Sequence, residues 1–186
     1  FIISFTKPIN ILLDATRKLK SGDLGYRISG LKDEFGEVAA SFNEMSDSLR
    51  EHMFKIKESE KRYRMLFESA GDAIFMLEAE GENAGKIVSA NIAASEMHGY
   101  TIDEMLRLSM IKDLDTPEAA KGAQGRIERM LNGEWIKAEI EHRKKDGTVF
   151  PVEISAGLFE FMGHKYILAF DRDISERKGI EETLKR

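Results

Sequence analysis

The sequence contains no cysteine. That excludes disulfides, a cysteine nucleophile, thiolate zinc sites, covalently attached c-type haem and a cysteinyl–flavin photoadduct. A reducing compartment fits. Basic charge is also lacking: 28 Lys and Arg against 33 Asp and Glu leave a net charge of −5, which argues against nucleic-acid binding. No apolar run approaches the ~20 residues needed to span a bilayer. The apolar start, Phe1-Ile2-Ile3-Ser4-Phe5, is much shorter. It reads either as a frayed end or as the last turn of a membrane-spanning helix. Lys7, Arg17, Lys18 and Lys20 follow it, as they would on the cytoplasmic side. No signal peptide, internal repeat or low-complexity stretch is visible.

Catalytic signatures are missing too. No histidine sits in a His-acid-x-Arg-x-Pro context, and there is no Gly-Gly-acid-acid-Phe run. Gly122-Ala123-Gln124-Gly125 falls in a helical stretch, so it is not a phosphate loop. The carboxylates are spread over solvated faces. The chain is not read as an enzyme.

What is present suffices for a core: 42% of the 186 residues are apolar and 33% charged. Residues 6 to 66 carry a helical period. In the first helix, Thr6 is a candidate cap, Pro8 belongs to the first turn, and Ile9, Leu12, Thr16 and Leu19 step by 3, 4 and 3. Ser21-Gly22-Asp23 ends it. Leu24 to Lys32 is extended, with Leu24 and Ile28 as its main apolar residues. Asp33 and Glu34 open a second helix, where acids suit the dipole. Phe35, Val38, Phe42, Met45 and Leu49 then form a heptad seam. A connector of about a dozen extended residues can run back along a helix of ~20 Å, so the helices can lie parallel. Such a pair leaves an apolar stripe open, which a second copy would cover. Past Leu49 the seam slips at His52 and Met53, either as an imperfect helix end or as a stutter.

Pro8, then Gly22-Asp23-Leu24 with Ile28, then Asp33-Glu34-Phe35-Gly36-Glu37 together resemble a HAMP domain. The resemblance implies a parallel four-helix-bundle dimer, with Leu24 and Ile28 packed onto the bundle. It assigns relay roles to Pro8, Gly22, Leu24, Ile28, Glu34 and Gly36.

The remainder alternates strands and short helices. Glu58 to Ser69 continues the helix, and Gly71-Asp72 breaks it. Strands are expected at Ala73 to Glu78, Lys86 to Ala90, Glu134 to Lys144, Thr148 to Phe161 and His164 to Asp171. Helical pieces are expected around Ile92 to Met97, Ile102 to Leu106 and Pro117 to Leu131. Lys145-Asp146-Gly147 is a hairpin turn. The order predicts an α+β domain with an antiparallel sheet. Tyr63-Arg64-Met65-Leu66-Phe67-Glu68, Gly85-Lys86-Ile87-Val88-Ser89-Ala90-Asn91, Gly99-Tyr100-Thr101-Ile102-Asp103-Glu104-Met105, Lys145-Asp146-Gly147-Thr148 and Asp173-Ile174-Ser175-Glu176-Arg177-Lys178 resemble a PAS domain. The resemblance implies a five-stranded antiparallel sheet with flanking helices. It makes Asp173 and Ser175 the exit toward an outgoing helix begun by Glu181 to Arg186.

The expected organisation is a possible transmembrane helix end at 1–5, HAMP at 6–55, a helical coiled-coil linker at 56–66, PAS at 67–174 and an outgoing helix at 175–186.

PAS relatives often hold a ligand between sheet and helices. The Pro117 to Leu131 helix has no histidine, which disfavours haem. His98 reads as a polar residue at a helix end, and His142 and His164 as strand residues without partners at ligand spacing. No metal site is evident. A noncovalent flavin or a small organic ligand stays open, with Asn91 and Trp135 as candidate donors. Their plainer roles are a helix cap for Asn91 and sheet packing for Trp135. Met76, Met97, Met105, Phe75, Phe159 and Phe170 are core residues first and pocket residues second.

These readings predict a homodimeric two-component-type relay. It would sit on the cytoplasmic side of the inner membrane, between a transmembrane sensor and an effector in the same natural chain. The alternative is a stand-alone PAS cofactor- or small-molecule-binding protein dimerised by its helices, or an empty PAS scaffold. Leu24→Asp or Ile28→Asp should lock or disrupt the bundle. Unchanged receptor signalling in both variants would remove the support for a relay through this segment.

Overall fold

The computed structural model describes residues 3–185, and the chain divides into two compact units, 1–63 and 64–186. Of the apolar start, Phe1 and Ile2 lie outside the described residues. No helix among those described is long and apolar enough to cross a membrane.

In the first unit, α1 spans Ile3–Lys20 and is followed by most of the long helix α2, Asp33–Glu68, whose last residues belong to the second unit. Thr6 does not cap α1, and Pro8 lies inside it rather than in a first turn at Thr6, because the helical backbone already begins at Ile3. The helix ends in a Schellman motif. Asp23 N donates to Lys18 O and Gly22 N to Leu19 O, with Gly22 at φ +91°. A left-handed residue is needed there, which glycine supplies without a Cβ clash. The rings of Phe5 and Phe35, near the starts of the two helices, are 5.9 Å apart. Further along, Ala15, Ile28 and Ala39 form a small core with Leu12, Tyr26 and Phe42. Contacts at matching heights mean that α1 and α2 run parallel. Ala15, not Thr16, is the fully buried position of α1; Ile9 and Thr16 are exposed, and the Thr16 hydroxyl donates to Leu12 O.

The connector is held by a residue that sequence reasoning passed over. The Asn43 side chain accepts from Ile28 N and donates to Ile28 O, both at 2.9 Å. That fixes the backbone of Ile28, whose side chain is buried, while Leu24 is half-buried. Gly36 lets α2 pass close to the connector, since a Cβ there would lie 3.2 Å from Leu31 O. Glu34 is exposed on the first turn of α2. Val38, Met45, Leu49, Met53 and Ile56 are exposed along one stripe of α2.

The second unit is an antiparallel sheet of order β2-β1-β5-β4-β3. Its strands are β1 (Ala73–Glu78), β2 (Ile87–Ala90), β3 (Ile136–Arg143), β4 (Val149–Phe161) and β5 (His164–Asp173). Between β2 and β3 come α3 (Ile92–His98), α4 (Ile102–Met105), a π-turn at Met110–Leu114, α5 (Pro117–Lys121) and α6 (Ala123–Leu131). The expected helix from Pro117 to Leu131 is therefore two. Gly122, a poor helix former, separates them, and the Arg126 guanidinium donates to Ala119 O across the break. The outgoing helix α7 spans Ser175–Leu184, beginning where the outgoing segment at 175–186 was expected to begin; Glu181 lies within it. The Asp173 carboxylate supports this start by accepting from Ser175 N at 2.8 Å and from its hydroxyl at 2.5 Å. Ser175 is thus the first helical residue.

Phe75, Leu77, Ile87, Met105, Leu114, Ile136 and Ile167 build the main core. Asn91 closes one end of it. Its Oδ1 accepts from Ile74 N and Ala94 N, and its Nδ2 donates to Phe67 O and Asp72 O. One buried side chain thereby joins the end of α2, the start of β1 and the cap of α3. Asn91→Ala should lower unfolding free energy by about 2–4 kcal/mol, since several buried groups lose a partner at once. Urea denaturation checks this, and a loss well below that range would mean that the junction does not depend on Asn91.

Candidate functional site

A cavity of about 60 Å³ lies between the inner face of the sheet and α6. Its walls are mostly apolar, with Leu77, Met110, Ile127, Met130 and Ile167 among them, but one end carries Asp115, Arg126, His142 and Asp171. Strand parity explains the sheet contribution. Ile136, Ala138, Ile140 and His142 alternate inward on β3, as do Ile167, Ala169 and Asp171 on β5. Asp115 follows the π-turn, whose widened backbone closes with Asp115 N donating to Met110 O at 2.8 Å. Thr116 N then donates to Glu141 O, which pins this corner to β3.

His98 and His142 are fully buried and bonded, Nε2 to Nδ1, at 3.1 Å. His98 does end a helix and His142 does lie on a strand, but the 43 residues between them fold back to pair the two rings, which the sequence did not show. Ala94 O can only accept, so the His98 Nδ1 beside it at 3.1 Å carries the proton. Burial, with the charge of His142 adding to it, pushes the His98 imidazole down to about 4, so near neutral pH its Nε2 accepts. His142 Nδ1 is then the donor. Beyond it, His142 Nε2 lies 3.2 Å from Asp115 Oδ1, in ion-pair range but misaligned for a hydrogen bond. Arg126 donates to the other oxygen, Asp115 Oδ2, at 3.1 Å.

Asp171 completes the polar end. It is almost wholly buried, and neither carboxylate oxygen has a hydrogen-bond partner; Oδ2 is 3.8 Å from His142 Nδ1. Burial pushes its carboxyl up to about 6, opposed by His142 and reinforced by the negative charge of Asp115. Among the described residues, no three or more His, Asp or Glu side chains are placed so that they could hold a metal ion together.

The two donors expected from sequence are not part of this cavity. Asn91 has both carbonyl lone pairs and both amide hydrogens engaged. Trp135 sits on the outer face of the sheet, half exposed, stacked over Gly157 and donating to the Ser155 hydroxyl at 2.8 Å. The residues that do meet at the cavity were missed as a set. A signal was present: His142 and Asp171 each occupy an inward position of an otherwise apolar alternation.

Outside the cavity, the end of β5 gathers the chain's entry and exit. Ala73 pairs with Asp171. Asp72, where the chain enters β1, forms a two-pronged ion pair with Arg172 at 2.7 and 2.8 Å. Asp173 starts α7, whose Arg177 and Lys178 meet Glu139 on β3.

A sheet backed by short helices, with a polar-ended cavity and an outgoing helix, is the architecture of a sensor domain. Residues 71–176 match the PAS domain model and residues 1–51 the HAMP domain model. The chain belongs to the PAS domain family, with a HAMP domain ahead of it; both are signalling rather than catalytic domains, and together they form a sensor module. It is 29% identical over 126 residues to the methyl sulfide methyltransferase-associated sensor of Methanosarcina acetivorans, covering 68% of this chain and 12% of that protein. It is 25% identical over 153 residues to the sensor protein SrrB of Staphylococcus aureus, covering 79% of this chain and 25% of that one. The chain thus spans a minor part of these relatives. Among solved structures, the PAS domain of an HTR-like protein from Haloarcula marismortui superposes with a TM-score of 0.60 at 27% identity, covering 67% of this chain and 99% of that one. A domain of a sensory box sensor histidine kinase/response regulator from Geobacter sulfurreducens does so at 0.53 and 32% identity, covering 63% and 96%.

The two shifted groups oppose each other in acid. Asp171, raised from 3.8 to about 6, contributes stability that is complete below 3.8 and lost as pH rises through 6. His98, lowered from 6.5 to about 4, contributes stability that is present above 6.5 and lost as pH falls through 4. Asp171→Asn removes only the first. Between pH 6 and 4 the variant should therefore lose about 1.4 kcal/mol per pH unit relative to the native chain. Denaturation series across that range test it, and parallel pH profiles would refute a proton uptake at Asp171.

Proposed function

We propose that this chain relays a conformational signal from a transmembrane sensor, through its HAMP segment and then its PAS domain, to a downstream effector. It acts as a homodimer on the cytoplasmic side of the inner membrane, with HAMP at 6–55, linker at 56–66, PAS at 67–174 and outgoing helix from 175. Three consecutive residues carry the reading. Asp171 lines the cavity, Arg172 holds the entry at Asp72, and Asp173 starts the exit helix. A shift in the end of β5 therefore reaches all three places at once. The exposed stripe of Val38, Met45 and Leu49 supports the dimer, because an apolar seam on a lone helix pair needs a cover. Pro8, Gly22, Leu24, Ile28, Glu34 and Gly36 serve the HAMP part of the relay, and Asp173 and Ser175 the exit.

Arg172→Ala tests the coupling. The ion pair is exposed, so its loss should cost no more than ~1 kcal/mol of stability. In the full-length receptor the variant should nevertheless change the output at a given stimulus. Wild-type output from a folded Arg172→Ala receptor would overturn the route through β5.

A further inference from the structure

We propose that the PAS cavity takes a small organic cation, a protonated primary amine with a short apolar tail, whose ammonium head sits between the Asp171 and Asp115 carboxylates. The inference deepens the relay reading and rests on it for its signalling consequence. The binding itself is argued from the cavity alone.

The polar end presents acceptors short of donors: the neighbouring His142 Nε2, also unpartnered, bears no hydrogen when His142 is neutral with its proton on Nδ1. Asp171 Oδ1, Asp171 Oδ2 and Asp115 Oδ1 are buried and lack hydrogen-bond partners. An ammonium group has three N–H donors and no acceptor, so it can serve these oxygens without leaving a lone pair opposed. Charge agrees. Asp115 and Asp171 carry two negative charges when ionised, and Arg126 offsets one through Asp115 Oδ2. With His142 neutral, one positive charge is wanted. A carboxylate ligand would meet two like charges, and a hydrocarbon would leave the buried oxygens unserved. Beyond the polar end the lining is Leu77, Met110, Ile127, Met130 and Ile167, which suits an alkyl tail. A volume of about 60 Å³ restricts that tail to a few carbons.

Asp171 is faced by His142 from β3 and by Asp115 from the corner before α5; Arg126 of α6 stands behind Asp115, and His98 of α3 behind His142. Of these, Asp171 is the group whose charge is lost near pH 6. Amine affinity should therefore fall as pH drops through 6.

The full 186-residue chain should be titrated with n-butylamine, 1-butanol and butyrate, following the methyl resonances of Ile154, Ile167 and Ala169. Butylamine should saturate these shifts, with the alcohol and the acid at least about tenfold weaker. Asp171→Asn should weaken butylamine about tenfold or more, and so should lowering the pH to about 5, where little Asp171 is ionised. No saturable shift with butylamine, or equal binding of the alcohol, would overturn the proposal, as would undiminished binding to a folded Asp171→Asn chain. Should that variant not fold, the comparison of the three probes on the native chain decides alone. Failure here leaves the Arg172→Ala result untouched, so the ligand class and the relay fail separately.

Discussion

The antiparallel pairing of β1 with β5, which sets Ala73 opposite Asp171, is the constraint on which the second unit depends. It places the first residue of the sheet beside the last inward-facing residue of its central strand. Because side chains alternate along β5, Asp171 must then face the cavity while Arg172 and Asp173 meet the chain on the other face and at the exit. No other register does this. A slip by one residue would turn Arg172 into the core and take Asp171 out to solvent. The ion pair of Arg172 with Asp72 fits only the observed register, and so supports it.

Much of this was legible in the sequence, and the reason is periodicity. The five strands fall where alternating apolar runs sit between Gly- and Asp-containing turns, as at Lys145-Asp146-Gly147. The cap at Asn91 was legible because a short polar residue stood between a strand and a helical run. The break at Gly122 was not, because helical spacing continues through it; Gly122 ends α5, and Arg126 donates to Ala119 O across the break. The start of α7 at Ser175 agrees with the expected outgoing segment, and the Asp173 carboxylate supplies its partner there.

The candidate site was hardest to read because no two of its members are close in sequence. His98, Asp115, Arg126, His142 and Asp171 come from five places along the chain. His98 and His142, taken singly, have bland explanations, and Asp115, Arg126 and Asp171 stand in no motif. Parity was the available clue. A histidine and an acid on the buried phase of two strands cost desolvation energy unless partners come from elsewhere. Reading both as exceptions to one alternating pattern would have brought them together. Asn43 carries the same lesson for the first unit: it lies near Ala39 and Ser46 on the buried side of α2, where an amide is unexpected until the Ile28 backbone is set against it.

Both units contain an element whose environment is incomplete in a single copy of the chain. In the first it is the stripe of Val38, Met45 and Leu49, open to water. In the second it is the set of buried oxygens on Asp171 and Asp115, closed to water yet without donors. The two differ in kind, and so would respond to different things. An apolar stripe is stabilised by area, which a second helix pair provides and a small solute does not. An unserved buried carboxylate is stabilised by a proton or a donor, which a small solute provides and a helix face does not. A relay needs an equilibrium that such an event can tilt, and a ligand can tilt it only through its differential affinity for the two states. The carboxylate is the better placed of the two for that purpose: a cation or proton arriving there changes the charge next to the strand end that holds both entry and exit.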